Sequence, residues 1–167
     1  MHAQTERRAD RRMREPDEID LQLLKLLALN GRLGIRELAR DLGRSPSTVA
    51  ERVKRLEREG LIRGYTALID YHSLGYQVNA ITLLQVEGAY IEDVERELAR
   101  EPNVKAVYDI TGEYDIAIIL SFKSVPELDS FIKRLIRRPH IKRSMTSLIF
   151  RVVKESPHVE AFLRSIG

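Results

Sequence analysis

The sequence contains no cysteine and no tryptophan. Without a thiol there is no disulfide, no thiolate nucleophile and no cysteine-ligated metal. Aromatic residues are scarce at 6%, and only 9 glycines and 6 prolines occur in 167 residues, which excludes collagen-like and low-complexity chains. No apolar run approaches the roughly 20 residues that cross a bilayer. The charged opening MHAQTERRADRRMREPDE lacks the apolar centre of a secretion signal. The four histidines, His2, His72, His140 and His158, are scattered without the paired spacing of a metal site. There is no nucleotide-binding glycine pattern and no nucleophile elbow. These absences lead us to expect a cytoplasmic protein with no metal, no cofactor and no catalytic activity.

Charge is abundant. Apolar residues make up 43% and charged residues 32%, the balance of a globular chain. Lysine plus arginine (28) narrowly exceed aspartate plus glutamate (25), giving a net +3, which permits a nucleic-acid partner without demanding one. Arginine clusters in ERRADRRMRE and FIKRLIRRP. It suits phosphate contacts, and equally the ion-pair networks of heat-adapted proteins. The length fits one ordinary domain, or two small ones that lean on each other or on a partner. Residues 1–15 read as a charged arm, either loosely ordered or following a nucleic-acid backbone.

From Pro16 the pattern is helical. EIDLQLLKLLALNG keeps Ile19, Leu23, Leu26 and Leu27 on one face and stops at Gly31. IRELARDLG turns Leu38, Ala39 and Leu42 inward and stops at Gly43. SPSTVAERVKRLEREG has Ser45 to cap it, Pro46 in its first turn, and Val49, Val53 and Leu56 on one side. Three helices with this short second connection predict a helix-turn-helix over residues 16–63. The polar side of the third helix then has a use. Ser47 and Thr48 lie in the first turn, where such motifs approach the groove floor, and either hydroxyl suits a base or a phosphate. Arg52 and Arg55 are candidates for guanine edges or phosphates. Arg44, Lys54 and Arg58 suit the backbone, and Arg36 and Arg63 its flanks. Glu51 fits a cytosine amino group, or an ion pair with Arg55 at helical spacing.

IRGYTALID reads as a strand leading out of this domain and YHSLGY as a turn, so residues 64–75 form the linker. From 76 to 154 strands and helices alternate in the order β-α-β-β-α-β, which predicts a ferredoxin-like domain and an α+β protein overall. GE in YDITGEYD reads as a tight turn between the two central strands. Two helices cover only one sheet face, yet YDIAIILSF and AITLLQV are apolar at nearly every position. The uncovered face would be greasy, and sheet-to-sheet dimerisation would bury it. HVEAFLRSI, within a 155–167 extension, reads as a short closing helix.

The run GIRELARDLGRSPSTVAERVKRLEREGLIRGYTALIDYHSLG, followed by a domain containing YDITGEYDIAI, resembles the leucine-responsive/asparagine-regulator (Lrp/AsnC) family of bacterial and archaeal transcription regulators. The match runs from Asp17 to Lys154. It implies a winged-helix-like reading head with Ser45–Glu59 as recognition helix. It also implies a homodimer that closes into tetramers or octamers, and a free amino-acid effector held between ferredoxin-like domains of adjacent dimers. The family's glycine-aromatic-aspartate signature falls on Gly112, Tyr114 and Asp115, and its late-strand polar positions fall near Thr146 and Ser147. The pocket would then lie near Thr111, Gly112, Glu113, Tyr114, Asp115, Thr146 and Ser147. From the residues alone, Asp115 either caps backbone N–H groups or receives an ammonium group. Two other readings use the same architecture: a DNA-compacting architectural protein without an effector, and an enzyme similar to the sirohaem decarboxylases. The polar, basic third helix argues against the second.

Overall fold

Gly43 and Gly60 stop two successive helices by the same device. In the computed structural model, which describes residues 14–166, both take the left-handed backbone, with φ of 61° and 77°. Only glycine does this without a Cβ penalty. The residue after each glycine then reaches back: Arg44 N–H donates to the Ala39 carbonyl and Leu61 N–H to the Leu56 carbonyl, both at 2.9 Å. Carbonyls at the helix ends are thereby satisfied.

Helices α1 (Glu18–Leu29), α2 (Ile35–Asp41) and α3 (Pro46–Arg58) form the first unit. Leu23, Leu38, Ala39, Val49, Val53 and Leu56 make its core, as their spacing predicts. Each fully buried aliphatic side chain contributes about 1.5–3 kcal/mol. The chain divides into two compact units, one reaching Leu68 and resuming at Ser156, the other spanning Ile69–Glu155. The C-terminal helix therefore belongs with the three-helix unit. Its Ile166 is buried, and the Lys25 ammonium donates to the Ile166 carbonyl.

The second unit carries β1 (Val78–Val86), α4 (Ile91–Leu98), β2 (Val104–Asp109), β3 (Ile116–Phe122), α5 (Val125–Leu135) and β4 (Ile141–Leu148), and the C-terminal helix is α6 (Glu160–Ser165). The sheet order is β2-β3-β1-β4 and every neighbouring pair is antiparallel. This is the expected ferredoxin-like βαββαβ arrangement. Leu84, Ile116, Ile118 and Leu120 pack with Val94, Leu98, Phe131 and Leu135 of the two helices. The alternate residues face the other way. Ile81 and Met145 are exposed there, and Leu83, Ala117 and Ile119 are half-buried.

Three expectations about loops and termini come out differently. Residues 62–70, read as a strand, carry no ladder, because a strand needs a neighbour and, among the described residues, none pairs with them. The connection from β2 to β3 is not a two-residue turn. It spans Ile110 to Asp115, closed by Ile110 N–H to the Asp115 carbonyl at 2.8 Å. The ladder of β4 stops at Leu148, short of Lys154. The arm expected over residues 1–15 lies outside the described residues except for Arg14 and Glu15. Among the described residues no helix is long and apolar enough to cross a membrane, and no cluster of metal-ligating side chains occurs.

Candidate nucleic-acid interface and effector loop

Val49, Val53 and Leu56 are buried, which fixes the rotation of α3 about its axis. At 3.6 residues per turn the opposite side is the stripe Ser47, Glu51, Lys54 and Arg58, and all four are exposed. The first turn adds hydroxyls. Ser45 Oγ accepts the Thr48 N–H at 3.2 Å and lies 3.0 Å from Ser47 Oγ and 2.8 Å from Thr48 Oγ1. Ser45 is thus occupied as the N-cap, while Ser47 and Thr48 keep exposed hydroxyls beside it. Arg44 precedes the cap and is exposed, as are Arg36 and Arg63. These groups form a polar, basic surface one helix wide.

Arg52 and Arg55 are not on that surface. Both guanidinium groups turn toward α1. Arg52 Nη1 meets Asp17 Oδ2 at 2.7 Å and Asp20 Oδ1 at 2.7 Å, and Arg55 Nη2 pairs with Asp20 Oδ2. Their side chains are 23% and 16% exposed, and Asp20 is fully buried. The expectation that these two arginines reach guanine edges or phosphates gives way to this arrangement, for a physical reason. A buried carboxylate needs cations and hydrogen bonds around it, and positions 52 and 55 lie on the flank of α3 that faces α1. The Glu51–Arg55 pair is likewise not the partnership Arg55 forms. Asp17 and Asp20 also cap α1 reciprocally. Asp20 N–H donates to Asp17 Oδ1 and Asp17 N–H to Asp20 Oδ2, each at 3.0 Å. The Arg52 hydrogen bond holds the Asp17 carboxyl down at about 2. Burial pushes Asp20 up, but its bonds to Arg55 and Arg52 outweigh burial and leave it below the usual carboxylate range.

In the second unit the residues expected around the effector separate. Gly112, with φ of 123°, lets the 110–115 loop turn. Thr111 and Glu113 are exposed on it and Tyr114 is buried. Asp115 takes the capping alternative: its Oδ2 accepts the Val86 N–H at 2.7 Å, and its own N–H donates to the Leu84 carbonyl at 2.9 Å. This ties the loop to the end of β1, where the β1–β4 register shifts. Glu113 pairs with Arg143 of β4 at 2.7 Å, and the Arg143 guanidinium sits 5.7 Å from the Tyr114 ring centre. Tyr114 therefore packs within its own unit. Thr146 and Ser147 lie further along β4, opposite Thr82 and Ile81, and point to opposite faces of the sheet. Thr146 Oγ1 is held by Thr82 Oγ1 at 2.8 Å. Arg143, not Thr146 or Ser147, is the β4 side chain that meets the loop. Sequence reasoning missed it because register, which brings it beside Glu113, is not written in composition or periodicity.

Comparison with known proteins agrees with this two-part geometry. Residues 16–63 match the family model for a winged helix-turn-helix DNA-binding domain, and residues 79–159 match that for the Lrp/AsnC ligand-binding domain. An uncharacterized HTH-type transcriptional regulator of Pyrococcus furiosus is 36% identical over 146 residues, covering 87% of this chain and 99% of the relative. The HTH-type transcriptional regulator FL11 of Pyrococcus horikoshii is 33% identical, covering 86% and 96%. Among solved structures, LrpC of Bacillus subtilis aligns with a TM-score of 0.76 at 30% identity, covering 84% of this chain and 99% of that one. A transcriptional regulator of Neisseria meningitidis in complex with L-methionine aligns with a TM-score of 0.80 at 25% identity, covering 86% and 95%. A reading head built on α2 and α3, joined to a βαββαβ unit of matching extent, makes this chain a member of the Lrp/AsnC family of transcription regulators.

Proposed function

We propose that this regulator reads double-stranded promoter DNA as a homo-oligomer, in the cytoplasm, through the outward stripe of α3. Ser47, Thr48 and Glu51 face base edges. Lys54, Arg58 and Arg44 take phosphates. Arg52 and Arg55 hold α3 against α1 instead of touching bases. The observation that carries this reading is the exposed run Ser47, Glu51, Lys54 and Arg58 opposite a fully apolar buried face. Two-fold pairing through the open sheet faces would set two α3 helices into successive major grooves, roughly 34–36 Å apart.

The effector loop supports control by a free amino acid, in keeping with the methionine-bound neighbour. Glu113 and Arg143 are a solvent-exposed acid–base pair on the rim of the loop. A zwitterion offers the complementary pair, its carboxylate to Arg143 and its ammonium to Glu113. Ligand taken between adjacent dimers would change assembly or head spacing, and through linkage the occupancy of DNA. The role is that of a binding protein, not a catalyst.

The test is selection of bound sequences from random duplexes, followed by titration of the selected site for wild type, Ser47→Ala and Lys54→Ala. Ser47→Ala is expected to relax preference at one position. Lys54→Ala is expected to weaken all sequences together and lower the salt slope by about 1. If wild type shows no preference over scrambled DNA at matched salt, binding is phosphate-driven compaction and the reading fails.

A further inference from the structure

The opposite end of the sheet from the effector loop holds a cavity. It has a volume of about 360 Å³ and is lined by Tyr71, Tyr76, Pro102, Asn103, Val104, Lys105 and Ser121. All of these belong to the second unit. The loop residue Asp115 stands before the first residue of β3, whereas Ser121 stands near its last. The seven-residue strand puts roughly 20 Å between them.

Three features make this cavity a built site. The Ser121 side chain is only 6% exposed, and its buried Oγ has no hydrogen-bond partner. A buried hydroxyl without a partner costs about 1–3 kcal/mol, which an incoming acceptor or donor would recover. The serine backbone is locked in place, since Ser121 N–H donates to the Asn103 carbonyl at 3.0 Å and the Asn103 amide donates to the Ser121 carbonyl at 2.8 Å. Tyr71 and Tyr76 meet edge to face with ring centres 6.1 Å apart, and with Pro102 and Val104 they give the cavity an apolar wall. Two cations stand by it, Lys105 in the lining and Lys123 beyond Tyr76. Lys105 Nζ sits 5.9 Å from the Tyr71 ring centre and Lys123 Nζ sits 5.3 Å from that of Tyr76. Lys123 also shares the open-face register with Ser121, two residues on.

We infer that this cavity binds a small organic carboxylate with an apolar tail and no ammonium group, of the 2-oxo acid class. The two lysines supply charge for a carboxylate. The Ser121 hydroxyl donates to one of its oxygens or to the adjacent keto oxygen, and the tyrosine wall holds the tail. No carboxylate is among the lining residues, so an α-ammonium group would enter beside two lysines with only the exposed Glu155, already beside Lys105, as counter-charge. That disfavours amino acids here, in contrast to the acid–base pair of the effector loop. Lys105 currently stands 3.9 Å from the exposed Glu155, a loose pair that a closer carboxylate would displace. The regulator would then respond to an amino acid and to its deaminated counterpart through separate sites.

The experiment is calorimetric titration of the full-length protein with phenylpyruvate and 4-methyl-2-oxopentanoate, against L-phenylalanine and L-leucine. Wild type, Ser121→Ala and the Lys105→Gln/Lys123→Gln double variant are compared, with the fold of each checked by circular dichroism. At least one 2-oxo acid is expected to bind wild type more tightly than its amino-acid counterpart. The double lysine variant is expected to weaken it by about tenfold or more, with Ser121→Ala showing a smaller loss. Excess L-methionine is expected to leave the titration unchanged. Absence of 2-oxo acid binding, binding unaffected by the lysine substitutions, or displacement by L-methionine would each overturn the assignment. None of these readouts uses DNA, so the outcome is independent of the DNA-reading role.

Discussion

Arg52 Nη1 lies 2.7 Å from the Oδ1 of Asp20, a carboxylate with no exposed surface at all. With Arg55 on the other oxygen and Asp17 on the same guanidinium, the pair joins α1 to α3. The recognition helix is therefore set against the rest of the head by charge as well as by Leu23, Val49 and Leu56.

Removing Asp20 is expected to be among the costliest single changes in the head. Asp20→Ala leaves the largely buried Arg55 guanidinium without its carboxylate, leaves Arg52 only Asp17, and removes the reciprocal half of the α1 cap, the Asp17 N–H bond to Asp20 Oδ2. Breaking one side of a buried pair costs about 3–5 kcal/mol. Urea unfolding followed by hydrogen exchange of α1 and α3 amides is the measurement, because the second unit need not report the loss. A cost below about 1 kcal/mol, the range of a surface pair, would mean the cluster is solvated and does not hold the helices.

The same cluster sets an acid limit. Asp17 titrates near 2 and Asp20 below its ordinary 3.8 in the folded head. For a depressed carboxyl the stabilisation is complete above the unfolded value near 3.8, and it is lost as pH falls through the folded value. Stability of the head is thus expected to decline between about pH 4 and pH 2. Asp17 is one-third exposed, so solvent screens part of its share. Thermal melts across that window should show a shallower decline in Asp17→Asn/Asp20→Asn than in wild type. Equal slopes would assign acid loss to other carboxylates.

Asp115 is expected to matter structurally before it matters to any effector. Asp115→Ala strands the Val86 N–H, at about 1–3 kcal/mol, and frees the loop from β1. Asp115→Asn retains an acceptor and should restore most of the stability. A Glu113→Gln change leaves both bonds intact and is the cleaner probe of amino-acid binding. Effector affinity that falls in Glu113→Gln with no change in melting would fit the zwitterion reading. Affinity unchanged there but lost in Asp115→Asn would move the ammonium contact to Asp115.

Much of this architecture was legible from periodicity. The buried face of α3, the cap at Ser45, the glycine stops and the βαββαβ order all depend on neighbours within a few residues, and such signals survive in sequence. What escaped depends on distant partners. Arg52 and Asp20 are 32 positions apart, and an acid in a helix's first turn reads as a surface residue that suits the dipole. The 62–70 stretch alternates like a strand, but pairing needs a second strand that the described residues do not bring. Arg143 gained its place beside Glu113 only through the register of β4 on β1.

The open sheet face offers the last test. Ile81, Leu83, Ala117, Ile119 and Met145 form an apolar surface whose charges, Arg143 and Lys123, stand only at its two ends. Their neighbours on the helix side are fully buried, so a substitution confined to this face spares the core. Ile119→Lys places an ammonium at the centre of the surface. In a face-to-face dimer with two-fold symmetry each such lysine opposes the partner's corresponding region, and two buried charges of like sign are introduced together. Light scattering should find wild type at least dimeric at micromolar concentration, and Ile119→Lys monomeric with an unchanged circular dichroism spectrum. DNA affinity should fall with it, because two linked heads bind more tightly than one. If Ile119→Lys keeps the wild-type mass, assembly uses another surface and the spacing of the two reading heads must be derived afresh.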